Sequence, residues 1–281
     1  MRLELAGSIV RADPVTKVLV NGVPFIPQDW IDLGYTHFDV ICIGGGGGHG
    51  GGVDTANTGT LVRNYGGEGG GGGYQRVQGM LSALPSSCPI VIGASGAAGT
   101  TVAVGTPPTT TDGTDGGPSS FNGTTCRASG GKGGKRAQSN SITGTSQAHG
   151  GDGGIGNTTA AGGGGLGGVC GTIGSTLSTD GEDGPIIDDI GHGGGGGAGG
   201  IGKYGVATSY LDGSAGGNGS WNPDDVLVSG DGEDAQPDPG TGVLIKPGRG
   251  GGANASPLNG LPYNFGQAGT PGTVVIRLSS R

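Results

Sequence analysis

Glycine recurs at every third position over long stretches of this chain. Gly150, Gly153 and Gly156 open one register, Thr159 interrupts it once, and Gly162, Gly165, Gly168, Gly171 and Gly174 continue it. Gly193, Gly196, Gly199, Gly202 and Gly205 form a second series. Gly93, Gly96, Gly99 and Gly266, Gly269, Gly272 form shorter ones. A period of three is neither the ~3.6 of an α-helix nor the two of a strand. It fits an extended helix with three residues per turn and no internal hydrogen bonds. Each residue of the triplet then forms one face, and a face of glycine lets a neighbouring rod approach to backbone contact.

The glycine load makes this packing necessary. The chain carries 74 glycines in 281 residues, with 16 prolines. Each glycine in regular structure costs about 0.5–1 kcal/mol relative to alanine, or roughly 40–70 kcal/mol in all, against a net stability of about 5–15. An ordinary helical or sheet domain cannot carry that. The chain is then either disordered or held by a backbone core that offsets the loss. Disorder also wants a high net charge, and −8 over this length is low. The register favours a polyglycine-II bundle, in which unpaired N–H and C=O groups bond between rods. The all-glycine runs Gly44–Gly48, Gly69–Gly73 and Gly193–Gly197 have no decorated face and are expected at its centre. The fold class that follows is mostly β and irregular: a polyglycine-II helix bundle flanked by short strands, with little or no α-helix.

The rest of the chain reads as strands. Leu3–Val10, Val15–Val20 and Phe38–Ile43 are rich in branched apolar residues, and Asn21-Gly22 is a turn signal. Tyr74–Leu81 and Cys88–Ile92 read as a strand pair joined through Pro85; Val226–Val228, Val243–Ile245 and Val274–Leu278 are short later strands. Pro27–Ile31 suits one helical turn. Composition divides the chain near residue 36, giving residues 1–36 as a β-type docking segment and 37–281 as the glycine-rich domain. The first segment holds Leu3, Leu5, Ile9, Val18, Val20, Phe25, Ile26, Trp30 and Ile31, a dense apolar share for a stretch too short to close its own core.

Composition and motifs exclude several function classes. An acidic balance argues against a nucleic-acid partner. No apolar run reaches the ~18 residues of a membrane span, and the opening MRLELAGSIVRADP lacks the apolar core of a secretory leader. Gly151–Gly156 fits GxGxxG, but about five such matches arise by chance at this glycine content, and no βαβ pattern surrounds it. Gly197–Lys203 resembles a P-loop, but Tyr204 stands where the Mg²⁺-binding Ser or Thr belongs. Cys42, Cys88, Cys126 and Cys170 have no zinc spacing; two disulfides are possible, and the missing leader favours free thiols. His49, His149 and His192 adjoin glycine blocks without ligand spacing, which suits rod decoration or bonding to backbone. Asp180–Asp183 and Asp231–Asp234 match no calcium loop. No catalytic arrangement, metal site or cofactor is legible, and the chain reads as a non-enzyme.

The order of segments is informative. FDVICI runs into GGGGGHGGG; GGEGGGGGYQRVQG, CPIVIGASGAAGT and TDGTDGGPSSFNG follow; GQAGTPGTVVIRL closes the chain. Over residues 37–281 this order resembles the glycine-rich domain of minor tail proteins from tailed bacteriophages. Polar insertions at Thr106–Thr111, Lys135–His149 and Ser220–Pro239 depart from that pattern. The resemblance implies a virion tail component assembled in the host cytoplasm, contributing to tail-tip architecture and host attachment. Its implied partners are other tail proteins, sister chains in a trimer and a host surface receptor. A freestanding extracellular glycine-rich structural or ice-binding protein is the alternative.

Polar islands must leave the lattice, because their side chains do not fit inside it. The island Lys203–Trp221 holds Tyr204, Tyr210 and Trp221, three of twelve aromatic residues in the chain. Exposed aromatics anchor partners at low entropic cost. These three are therefore the candidate binding residues, with a hydrophobic plug over the bundle's end as the competing role.

Overall fold

The computed structural model of the chain describes residues 12–57, 60–64, 66–100, 110–137, 149–154, 166–167, 179–182, 186–187, 190–191, 201–204, 209–211 and 267–280. Its strands are β1 (Val15–Val18), β2 (His37–Ile43), β3 (Val53–Asn57), β4 (Thr60–Asn64), β5 (Tyr74–Met80), β6 (Ile90–Val91) and β7 (Ser119–Phe121). They continue with β8 (Cys126–Ala128), β9 (Ile186–Ile187), β10 (Ile190–Gly191), β11 (Ile201–Tyr204), β12 (Ser209–Leu211) and β13 (Thr273–Ser279). Helix among the described residues is confined to α1 (Pro27–Ile31) and a 3-10 turn over Leu81–Ala83.

Side chains build a small sandwich at one end. An antiparallel sheet of order β1-β13-β2-β5-β10-β9 faces a second one of order β6-β7-β8. Alternation along β2 and β13 buries Phe38, Val40, Cys42, Val274, Ile276 and Leu278 against Ile90, Phe121, Cys126 and Ala128. Phe25 is buried in this core, and Val15, Leu19, Trp30, Ile31 and Tyr35 pack against it, so residues 12–36 share it with the later strands. Asn21-Gly22 forms the expected turn, with Gly22 at φ +74°.

Backbone builds the other end. β2 runs into a rod over 44–51, and a rod over 66–73 returns into β5. β6 runs into 93–100 and 111–117 returns into β7; β8 runs into 129–137; 267–272 enters β13. The central rod bonds with a strict period of three. The N–H groups of Gly44, Gly47 and Gly50 donate to the carbonyls of Gly73, Gly70 and Gly67 at 2.9–3.0 Å. Those of Gly45, Gly48 and Gly51 donate to Gly117, Thr114 and Thr111, all at 2.9 Å. Those of Gly46 and His49 donate to Thr270 and Gln267 at 2.9 and 3.1 Å. Each successive donor thus turns to a different neighbour, as three residues per turn requires. In return Gly45, Gly48 and Gly51 accept from Gly131, Gly134 and Ala137, while Gly46 and His49 accept from Gly96 and Gly99. Five described rods surround the central one, and glycines 44–48 and 69–73 are buried as expected. Unpaired buried backbone groups would cost about 1–3 kcal/mol each, so this pairing is what makes a core without side chains possible.

Elsewhere in the lattice, short polar side chains accept from rod N–H groups. Thr114 and Thr111 hydroxyls accept from the N–H groups of Ala97 and Thr100 at 2.7 and 2.8 Å. Asp115 and Asp112 accept from Gly133 and Arg136 N–H at 2.9 Å each, and pair with Lys132 and Lys135 at 2.7 and 3.1 Å. Burial works to raise both carboxyls, but these hydrogen bonds and ammonium groups outweigh it and hold them below their ordinary value.

One expectation is corrected. Tyr74–Leu81 and Cys88–Ile92 do not pair: β5 lies between β2 and β10, and β6 pairs with β7 in the opposite sheet. The 3-10 turn after Met80, followed by Pro85 and Pro89, redirects the chain across the core instead of back along its own sheet. Leu3–Val10, Gly193–Gly197, Val226–Val228, Val243–Ile245 and most of the 150–174 register lie outside the described residues.

Cys42, Cys88 and Cys126 are buried free thiols, and Cys170 lies outside the described residues. Burial, reinforced by the hydrogen-bonded Cys126 thiol, pushes the Cys42 thiol up. Alkylating reagents should therefore label these three only after unfolding, and a reducing agent should leave the thermal midpoint unchanged. Labelling of the native chain at Cys42, read by mass spectrometry, would contradict this.

Candidate functional site

The central rod separates two ends. Eight residues at about 3.1 Å each carry the chain roughly 25 Å from the sandwich. There β3 and β4 join the 44–51 rod to the 66–73 rod, and a distal antiparallel sheet of order β12-β11-β4-β3 forms on them. Thr100 and Thr111 are hydrogen-bonded through both backbone and side chains, so the connection between them starts and ends away from the sandwich as well.

Tyr204 and Tyr210 lie in this distal sheet, on β11 and β12. Register places Tyr210 opposite Gly202, and Tyr204 opposite Leu61 on β4. The structure thus brings two of the three candidate aromatics onto neighbouring strands. Trp221 lies outside the described residues.

The structure adds two features to the sequence reading. The first is at the sandwich end: a cavity of about 610 Å³ lined by His37, Asp39, Arg76, Gln78 and Arg277, among others. Arg76 grips Asp39 through two bonds, Nε–Oδ1 at 2.8 Å and a second nitrogen–Oδ2 contact at 2.5 Å. Alternation in FDVICI and YQRVQG sets both residues on the sheet face away from the main core, but the strand pairing that joins them is tertiary. The second is the burial of His49, whose Nδ1 is hydrogen-bonded to the Gly50 carbonyl, the backbone bonding expected of it. Burial lowers its pKa to about 4, partly offset by that carbonyl. Among the described residues no group of three His, Cys, Asp or Glu side chains is placed to hold a metal, and no helix is long and apolar enough to cross a membrane.

A search of curated proteins returned no match. The family model described as a glycine-rich domain matches residues 27–279, a span that takes in α1, the whole described lattice and closing strand β13. The chain therefore belongs to the glycine-rich domain family.

Proposed function

We propose that this chain is a non-enzymatic structural component of a phage tail, a minor tail protein that contributes to tail-tip architecture and host attachment. The observation that carries the reading is the two-ended build: an ordinary side-chain core at one end, a backbone lattice as a stiff spacer, and a separate sheet at the far end. A spacer whose every turn is cross-bonded to neighbours transmits position with little bending. The sandwich end suits docking onto other tail proteins or sister chains in a trimer, because Val18, Val20, Val23 and Leu33 stay more than half exposed there. The far end suits contact with a host receptor.

The test is direct. Particles from a strain carrying the gene are purified, and their tails analysed by mass spectrometry and immunogold labelling. The chain should be found in the tail, and particles lacking it should fail to assemble a normal tip or to adsorb. Absence from purified tails would end the proposal.

A further inference from the structure

Two cysteines far apart in the chain meet inside the sandwich. Cys42 lies on β2 in the first sheet and Cys126 on β8 in the second, and alternation turns both side chains into the core between them. Both residues are fully buried. The Cys42 Sγ lies 3.4 Å from the backbone oxygen of Cys126, and the two thiols are themselves hydrogen-bonded. The Cys126 Sγ in turn lies 3.3 Å from the Gln75 carbonyl and 3.9 Å from that of Val40, two residues before Cys42. Each sulfur therefore reaches the backbone of the facing sheet. Cys88, the third described thiol, instead contacts the Pro85 carbonyl at 3.9 Å.

We propose that Cys42 and Cys126 form a latent disulfide site, closed by a small disulfide oxidant such as glutathione disulfide while the chain folds or opens. This chemistry is independent of the tail reading. In the unfolded chain one cysteine, as thiolate, attacks a sulfur of glutathione disulfide and expels one glutathione thiolate. Folding brings the second cysteine to the mixed disulfide; its thiolate attacks the protein sulfur and expels the other glutathione. One S–S bond breaks and one forms. Two electrons pass from protein to glutathione, and the two thiol protons end on the released glutathione molecules. In the folded core the thiols need only a short approach to bond. S–H is a weak donor, so exchanging these contacts for a covalent bond costs little. The link spans 84 positions of chain and ties the two sheets together where β2 feeds the central rod. It encloses the rods over 44–51, 66–73, 93–100 and 111–117, and a loop that long gains much from being closed. The dithiol form is the one described above; a chain never met by an oxidant holds no bond for a reducing agent to cleave.

The experiment refolds the full chain from denaturant in a buffer of reduced and oxidised glutathione, and in parallel in reduced glutathione alone. Proteolysis without reduction, followed by mass spectrometry, maps the links. A Cys42–Cys126 pair is expected in the oxidising buffer, and it should raise the thermal midpoint by about 10 °C over the reduced chain. Cys42→Ala and Cys126→Ala should each remove both the link and the rise, while Cys88→Ala keeps both. Peptide mapping of the wild-type chain decides the pairing even where an alanine variant fails to fold. Free thiols or glutathione adducts in place of the link would overturn the proposal. So would a link from Cys42 to Cys88 or Cys170, or a Cys42–Cys126 link that leaves the midpoint unchanged or lowers it.

Discussion

Gly48→Ala should cost more than about 4 kcal/mol, well above the 1–3 usual for an overpacked core, and so remove much of the roughly 5–15 that holds a domain folded. Gly48 donates to the Thr114 carbonyl and accepts from Gly134, both at 2.9 Å. A β-carbon there would overlap the carbonyl of Ala97, which itself accepts from Thr114 N–H. A side-chain neighbour could rotate away, but a backbone carbonyl held in a three-way lattice cannot. Gly22→Ala is the control. Gly22 has nothing within 4 Å of the position a β-carbon would take, and only its φ of +74° resists substitution. That costs about 1–2 kcal/mol. Chemical denaturation of the two variants separates the roles, and equal losses would contradict a backbone core.

The second large effect is a loss of stability on mild acidification, carried by His49. Its folded pKa of about 4 lies below the ordinary value of 6.5, because burial disfavours the charged ring. As pH falls, the unfolded chain takes the proton first. Stability is therefore complete above about pH 6.5 and declines toward pH 4. A gap of about 2.5 units corresponds to about 3 kcal/mol. Asp112 and Asp115, whose carboxyls are held below their ordinary value, act in a lower window: their contribution is present above the usual carboxylate range and is lost as pH falls through their folded values. Denaturation curves between pH 7 and 4 should show the decline, and His49→Gln should flatten it. An unchanged slope in that variant would show that His49 is not the titrating group.

His49 also shows where pattern and environment part. It is the single non-glycine in 44–52, so its register was visible in the sequence. β-Carbons at 44, 47 and 50 would strike the 129–137 rod, and those at 45, 48 and 51 the 93–100 segment. His49 falls on the third face, the one on which a side chain is tolerated. That this face is itself buried is a matter of neighbours, and no local pattern encodes it. Asp39 and Arg76 behave likewise: alternation assigned their face, while the β2–β5 pairing brought them together. For Tyr204 and Tyr210 the reading of a polar, aromatic island located the residues. Their placement on neighbouring strands came from the β11–β12 register.

The sequence by itself determined the kind of structure. A three-residue glycine period leaves one helix geometry open and makes backbone the only available glue. The branched apolar runs of β2 and β13 likewise marked these stretches as strands. The tertiary structure alone decided which rod lies beside which and in which direction. The physical reason is that glycine faces are interchangeable: any rod can offer the same N–H and C=O groups to any other, so the lattice contains no code for its own arrangement. That code lies at the sandwich, where Phe38, Phe121, Ile276 and their neighbours fit in one way, and each strand fixes the starting point and direction of the rod it feeds.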